Sequence, residues 1–224
     1  MCKIAVIIPV LNEQDAIRDC LNNLQYLRQA GHEIIVVDGG SLDDTVLLAK
    51  PLADHVLLAE VGRAIQMNAG ARIATAKYLL FLHVDTFLPE NISTLFNSIN
   101  DKAGLWGRFN IRLTGSSWLF RVIEKCMNLR SRVSGIATGD QAIFVTRTLF
   151  EQIGGYPEIV LMEDIAISTL LKKISKPMCL SETVISSSRR WEKNGIVRTV
   201  IKMWMFRLMY FFKIEPQLLA KYYQ

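Results

Sequence analysis

Cysteine is scarce in these 224 residues, and no two of the four are spaced like metal ligands. Cys2, Cys20, Cys126 and Cys179 lie far apart, and three sit in apolar patterns. They read as buried or free thiols of a reducing compartment, not as a disulfide framework. Six Pro and 13 Gly are too few for a low-complexity chain, and no internal repeat is present. Charged residues are also sparse, at 21% against 50% hydrophobic. That balance excludes disorder and supplies the core of one large domain. The chain lacks a basic start, a long apolar run and a small-residue cleavage site, so no signal peptide and a cytoplasmic location are expected. The net charge of +5 suits an ordinary surface, an anionic substrate or an anionic membrane face. It does not point to nucleic acid: the aromatics form no stacking platform, and the basic residues gather mainly in two apolar segments.

Over the first hundred residues, apolar runs alternate with helical stripes. Ile4–Val10 is a continuous apolar run, as in a parallel strand buried on both faces. Asn12 is placed to cap a helix with the stripe Ile17, Cys20, Leu21, Leu24 and Leu27. Glu13 and Asp15 stand in its first turn and Gly31 ends it. Residues 34–37 predict a second strand. Ser41 and Asp44 suggest a capping box for a short helix that stops at Pro51. A third strand is expected at 55–58, a helix at 62–76 and a fourth strand at 78–82, with Pro89 opening another helix. Further on, 105–113 and 141–146 read as strands and 116–132 and 165–173 as helices. Residues 195–214 form a long apolar and basic stretch. The alternation predicts an α/β fold with right-handed crossovers and a mostly parallel central sheet flanked by helices.

In such sheets the ligand sits outside the carboxyl ends of the strands. Three polar clusters stand at three such ends: Asn12 and Glu13, then 38–41, then 83–86. The first, inside Pro9-Val10-Leu11-Asn12-Glu13, is alone an ordinary strand-to-helix turn. In the second, Asp38 offers a carboxylate to a ribose or base N–H, and paired glycines allow close approach; a turn and helix cap explain Ser41 and Asp44 but not Asp38. In the third, His83 and Asp85 alternate past the strand end and suit one hard divalent ion, or a surface loop. Glu163 and Asp164 precede a helix, as a cap or as a general base. Arg189, Arg190 and Trp191 offer two guanidinium groups and a stacking face, or a basic surface turn.

Taken in order, these clusters resemble the family 2 glycosyltransferases of the GT-A fold. The set runs Pro-Val-Leu-Asn-Glu, Val-Val-Asp-Gly-Gly-Ser, Asp85 in a D-x-D-like position, Glu163-Asp164, then Arg190-Trp191. Gly62-Arg63-Ala64-x-Gln66-Met67-Asn68-x-Gly70-Ala71 and Ser-Ser-Arg-Arg-Trp narrow the resemblance to a short bacterial subgroup. It implies a GT-A domain over 1–190, with a nucleotide-sugar half at 1–100, an acceptor half at 101–190 and a helical extension at 191–224. It further implies that Pro9, Leu11 and Glu13 line the nucleoside pocket, that Asp38 binds base or ribose, and that Arg63 and Asn68 face the donor. Asp85 would hold Mn²⁺ or Mg²⁺ on the diphosphate, and Asp164 would deprotonate the acceptor. Glu163, Arg189, Arg190 and Trp191 would meet the acceptor or the leaving diphosphate. Two positions depart from the pattern. His83 replaces the first Asp of D-x-D, so it is either a second metal ligand or a hydrogen-bond partner. Ser187 replaces the Gln of Q-x-x-R-W, which favours transfer of a single sugar, by an inverting displacement, to an unidentified acceptor for which a lipid-linked molecule stays open.

The stretch 196–214 is apolar and aromatic but broken by Arg198, Lys202, Arg207 and Lys213. Charges at a spanning helix centre cost about 2.5–3.5 kcal/mol each, which disfavours spanning. Arg198, Lys202 and Lys213 group on a helical wheel while Arg207 lies opposite. Peripheral contact with the inner face of the plasma membrane and packing in a core or homodimer both stay open. Two rivals to the transferase reading remain. A sugar nucleotidyltransferase would carry a glycine-rich basic loop after the first strand, which Leu11-Asn12-Glu13-Gln14 is not. A non-catalytic nucleotide-sugar or lipid-binding module would have no use for both Asp85 and Asp164.

Overall fold

A computed structural model describes residues 4–99 and 104–223. Cys2 lies outside the described residues. The strands are β1 (Ile4–Val10), β2 (Glu33–Asp38), β3 (His55–Leu58), β4 (Tyr78–Phe81), β5 (Thr86–Phe87), β6 (Trp106–Leu113), β7 (Phe144–Thr146) and β8 (Met178–Ser186). They form one sheet in the order β3-β2-β1-β4-β7-β6-β8-β5. The β1, β2, β3 and β4 pairings are parallel, as is β6 with β8; β7 is antiparallel to both neighbours and β5 to β8.

Helices cover both faces. They are α1 (Gln14–Asn23), α2 (Gln25–Gln29), α3 (Thr45–Ala49), α4 (Arg63–Ile73), α5 (Ile92–Ser98), α6 (Trp118–Ser134), α7 (Arg147–Gln152), α8 (Glu163–Ile174), α9 (Arg189–Asn194), α10 (Ile196–Phe211) and α11 (Pro216–Tyr223). Side chains alternate across a strand, so β1 feeds two cores. Ile4, Val6 and Ile8 join Ile17, Leu21 and Leu24 of the α1 side, whereas Ala5 and Ile7 join Met67 of α4 and Ile167 of α8. This double burial explains why β1 reads as an unbroken apolar run.

Gly70 lets α4 lie close to the sheet. A Cβ there would stand 2.5 Å from Ile7 Cγ2 and 3.1 Å from Val37 Cγ2. Gly70→Ala is therefore expected to destabilise the fold by about 1–3 kcal/mol through overpacking. Urea unfolding measures this, and an unchanged midpoint would show that the two side chains yield freely.

Several boundaries differ from the sequence expectation. Asn12 is not a helix cap; it has φ 54°, and α1 starts after Glu13 with no side-chain cap. Ser41 and Asp44 form no capping box either, because α3 begins at Thr45. Pro89 lies before α5, which starts at Ile92 behind Asn91. The strand expected at 141–146 shortens to β7, since a 3-10 turn at Gly139–Gln141 precedes it. The nine-residue β8 had no counterpart in the sequence reading.

Candidate active site

The carboxyl ends of the parallel strands open on a cleft of about 630 Å³. The loop after β1 lines it, and the loop after β2 supports that loop from behind. Asn12 N–H donates to Ser41 Oγ, Leu42 N–H to Asn12 Oδ1 and Glu13 N–H to Thr45 Oγ1, each at 2.8 Å. Gln66 of α4 adds a third tie. Its Nε2 donates to Val10 O at 2.8 Å and Val37 O at 2.7 Å, joining the ends of β1 and β2. The residue is buried, so these two carbonyls are satisfied away from water.

Asp38 shapes the second loop from within. Its Oδ2 accepts from the N–H of Gly40 and of Ser41 at 2.9 Å, and Oδ1 accepts from the Ser41 hydroxyl. It is only 2% exposed and does not line the cleft. The carboxylate that holds this turn is thus Asp38, and Ser41 is its donor. Asn68 also stands outside the cleft lining. Its amide donates to Tyr156 O and accepts from Tyr156 N–H, both at 2.9 Å, which pins the segment ahead of α8.

Pairing of β5 with β8 brings the remote clusters together. Thr86 stands opposite Ser186, and Ser187 N–H donates to Asp85 O at 3.0 Å. His83 and Asp85 therefore share the cleft with Ser187, Arg190 and Trp191. Arg189 is exposed at the start of α9 and outside the lining, although its charge reaches Glu13 and Asp85. Pro9, Leu11, Glu13 and Arg63 complete the wall beside β1 and α4.

The acid pair opens α8, behind Met162 at φ 69°. Glu163 is buried, with Oε1 3.8 Å from Arg63 Nη1. Asp164 faces the cleft, and its Oδ2 accepts from Gly139 N–H at 3.2 Å and its Oδ1 from Ile165 N–H at 2.7 Å. Such N–H groups are expected to favour the ionised form, yet the net shift is upward. Burial pushes the Asp164 carboxyl up to about 6, the Glu163 charge adds to the rise, and the two N–H bonds offset only part of it. A carboxylate near 6 is ionised at neutral pH and still basic enough to take a proton.

Two charged cleft residues carried no role in the sequence reading. Asp140 lies in the 3-10 turn, with Oδ1 3.3 Å from His83 Nδ1. Burial would raise its carboxyl, but the His83 hydrogen bond and charge, with Arg63 and Arg190, hold it below the usual range. Arg130 reaches the cleft from α6. Neither stands in a recognisable motif; burial and neighbours give each its meaning.

The Glycosyl transferase family 2 model matches residues 5–145. The chain belongs to glycosyl transferase family 2. An uncharacterized glycosyltransferase, YibD, of Escherichia coli K12 is 31% identical over 147 residues, covering 61% of this chain and 42% of YibD. A PGL/p-HBAD biosynthesis glycosyltransferase of Mycobacterium tuberculosis H37Rv is 27% identical over 164 residues, covering 68% of this chain and 62% of the relative. The chain thus spans roughly half the length of these curated family members. Staphylococcus aureus TarS 1–349 superposes with TM-score 0.68 at 18% identity, over 83% of this chain and 60% of that one. The mannosyltransferase PcManGT of Pyrobaculum calidifontis, solved with GDP-Man and Mn²⁺, gives 0.66 at 18% identity, over 92% and 60%. Those likenesses establish the GT-A fold for this family 2 member.

The cleft also suits a divalent ion of the kind seen with such structures. Burial raises the Asp85 carboxyl, His83 opposes and Asp140 adds to the rise; Glu13 is likewise raised, by burial and then by Asp85. Crowded carboxylates of this sort are relieved by a cation. Among the described residues no three His, Cys, Asp or Glu side chains are grouped to hold a metal. A hard ion that takes phosphate oxygens and waters needs only one or two protein carboxylates, so the residues present fit a donor-completed site.

Proposed function

We propose that the protein transfers a single sugar from a nucleotide diphosphate sugar to an acceptor hydroxyl by metal-assisted inverting displacement. The observation that carries this reading is the convergence of Asp85, Asp164 and Arg190 on one cleft at the strand ends. Pro9, Leu11 and Glu13 receive the nucleoside, on a loop whose turn Asp38 sets. Arg63 and Asp85 lie on the diphosphate side, and Asn68 acts through the segment it pins. When bound at Asp85, Mn²⁺ or Mg²⁺ would offset the charge that grows on the departing diphosphate. His83 orients Asp140 by its Nδ1 contact. Arg190, with the field of Arg189, stabilises the same developing charge, and Trp191 packs beside the acceptor. Asp164 accepts the hydroxyl proton while the oxygen attacks the anomeric carbon from the face opposite the leaving group. Glu163 stays paired with Arg63. In domain terms, 1–100 is the donor half, 101–190 the acceptor half and 191–224 a helical extension whose first helix, α9, straddles that boundary.

Similar structures were solved with UDP-GlcNAc and with GDP-Man plus Mn²⁺. The test is therefore a panel of uridine and guanosine diphosphate sugars, with each metal, read by release of nucleoside diphosphate. No release with any donor and acceptor mixture, despite binding, would make the protein a sugar-nucleotide-binding module.

Among the described residues no helix is long and apolar enough to cross a membrane. Yet α10 exposes Val197, Ile201, Trp204, Leu208 and Phe211, each more than half exposed, beside Arg198 and Lys202. We propose peripheral contact with an anionic bilayer through 196–214. Flotation with anionic vesicles is expected to recover the protein at low salt and less at high salt. Equal recovery with neutral vesicles, or none, would favour a homodimer on this face, which sedimentation detects.

A further inference from the structure

Two helices that line the cleft have the same stripe. On α6 it is Val122, Ile123, Cys126, Met127 and Arg130; on α10 it is Thr199, Val200, Met203, Trp204 and Arg207. Each stripe runs i, i+1, i+4, i+5, i+8, one face of a helix over two turns, and each ends in arginine. Arg207 is the residue that spoils the amphipathic wheel of 196–214, and its place on the cleft side explains why.

Both arginines are incompletely satisfied. Arg130 Nε and Nη2 and Arg207 Nε are buried and have no hydrogen-bond partner. Burial pulls the Arg130 guanidinium below its usual range, while the Asp164 and Asp140 charges pull the other way. Those carboxylates supply field but no bond to the two buried nitrogens. Buried donors without partners cost about 1–3 kcal/mol each, more when charged, and those of Arg130 and Arg207 belong to residues that line the cleft, where a ligand can meet them.

The position of α6 is fixed independently of Arg130. Asn128 Oδ1 accepts from Ile111 N–H at 2.9 Å, Glu124 Oε1 from Leu113 N–H at 2.6 Å, and Arg121 Nη2 donates to Leu113 O at 2.7 Å. These bonds stitch the helix to β6. Arg130 is not needed to hold it, and is presented to the cleft on a rigid support.

We infer that Arg130 and Arg207 form an anion subsite for the acceptor, and that the acceptor is amphiphilic: a phosphate-like group held by the two guanidiniums and an apolar body laid along the α6 and α10 stripes. This rests on the reading of the cleft as a glycosyltransferase site, and names the acceptor class for it. Guanidinium donors match phosphate oxygens in pairs, and apolar walls flanking them exclude a purely polar partner. The chemistry is shared by a lipid phosphate headgroup and by a small organic phosphate; the apolar stripes assign it to the former.

Calorimetry with three probes tests this: hexyl phosphate, glycerol phosphate and hexanol. Hexyl phosphate is expected to bind the parent protein at least about tenfold tighter than either of the others. Arg130→Gln and Arg207→Gln should each weaken hexyl phosphate at least about tenfold. Binding of nucleoside diphosphate with Mn²⁺ should stay at the parent value in both variants. Because these buried nitrogens hold no hydrogen-bond partner in the free protein, both variants should melt within a few degrees of the parent. Glycerol phosphate binding as tightly as hexyl phosphate would overturn the amphiphilic assignment, and hexanol doing so would overturn the anionic one. A variant that loses nucleotide affinity, or melts several degrees lower, would return that arginine to the donor site or to the framework. A parent protein that binds hexyl phosphate but no nucleoside diphosphate would count against the transferase reading alone.

Discussion

Asp164→Asn lowers sugar transfer by at least about 10²-fold and leaves the fold and the donor affinity nearly intact. The expectation follows from where the carboxylate lies. It faces the cleft, and burial with the adjacent Glu163 charge holds it up at about 6. Below that pH the base carries its proton and transfer stops; above it the base is free. The kcat/KM of the parent protein should therefore rise with pH through a midpoint near 6, and the Asn variant should lack that step. Asparagine still accepts one N–H bond, so the start of α8 is preserved. Glu163→Gln should be milder, because Glu163 is buried against Arg63. An acceptor screen by mass spectrometry must come first, to give the assay a product. Transfer at the parent rate in Asp164→Asn, with loss in Glu163→Gln, would move the base by one residue. If neither change matters, the pair is only a helix start and the inverting mechanism has no base here.

The second large effect is at Asp85. Asp85→Asn should abolish the Mn²⁺-dependent part of nucleoside diphosphate binding. Glu13 and Asp140 surround this carboxylate with negative charge, and its backbone carbonyl is held by Ser187 N–H at 3.0 Å. An amide of the same shape keeps the loop but removes the formal charge that a hard dication prefers. Calorimetry with and without Mn²⁺ decides it. Unchanged affinity would take Asp85 off the ligand set and turn attention to Asp140.

The strand-end clusters were legible because parallel β-α-β order alone puts them on one edge. That reasoning needs only the order of elements, and it brought Glu13, His83 and Asp85 to the edge where the cleft opens, whereas the Glu163-Asp164 pair came from its place before a helix and from the family resemblance. The failures have local causes. β8 escaped because much of it is half-exposed and neither a continuous run nor a clean alternation marks it. Asp38 and Asn68 were legible as important but not in kind, since a carboxylate or amide turned toward backbone N–H groups looks the same in sequence as one turned toward a ligand. The upward shift of Asp164 depends on burial, which no spacing encodes. Arg207 did leave a trace, as the one cation on the wrong side of its helix, and only the cleft gives that trace a meaning.

The contact between Thr86 and Ser186 has a kinetic consequence. Its partners are 100 residues apart in sequence, and the hydroxyls meet at 3.2 Å. The β1 to β4 half makes its mutual pairings within residues 4–81, so it can form while the rest is still being made. Closing the long loop costs entropy before any contact returns it, which places this pairing late in folding. A nascent chain would thus own the β1 to β4 side of the cleft, with Glu13 and Arg63, before it owns Arg190 and Trp191 beside it, and the cleft would be complete only when β8 docks.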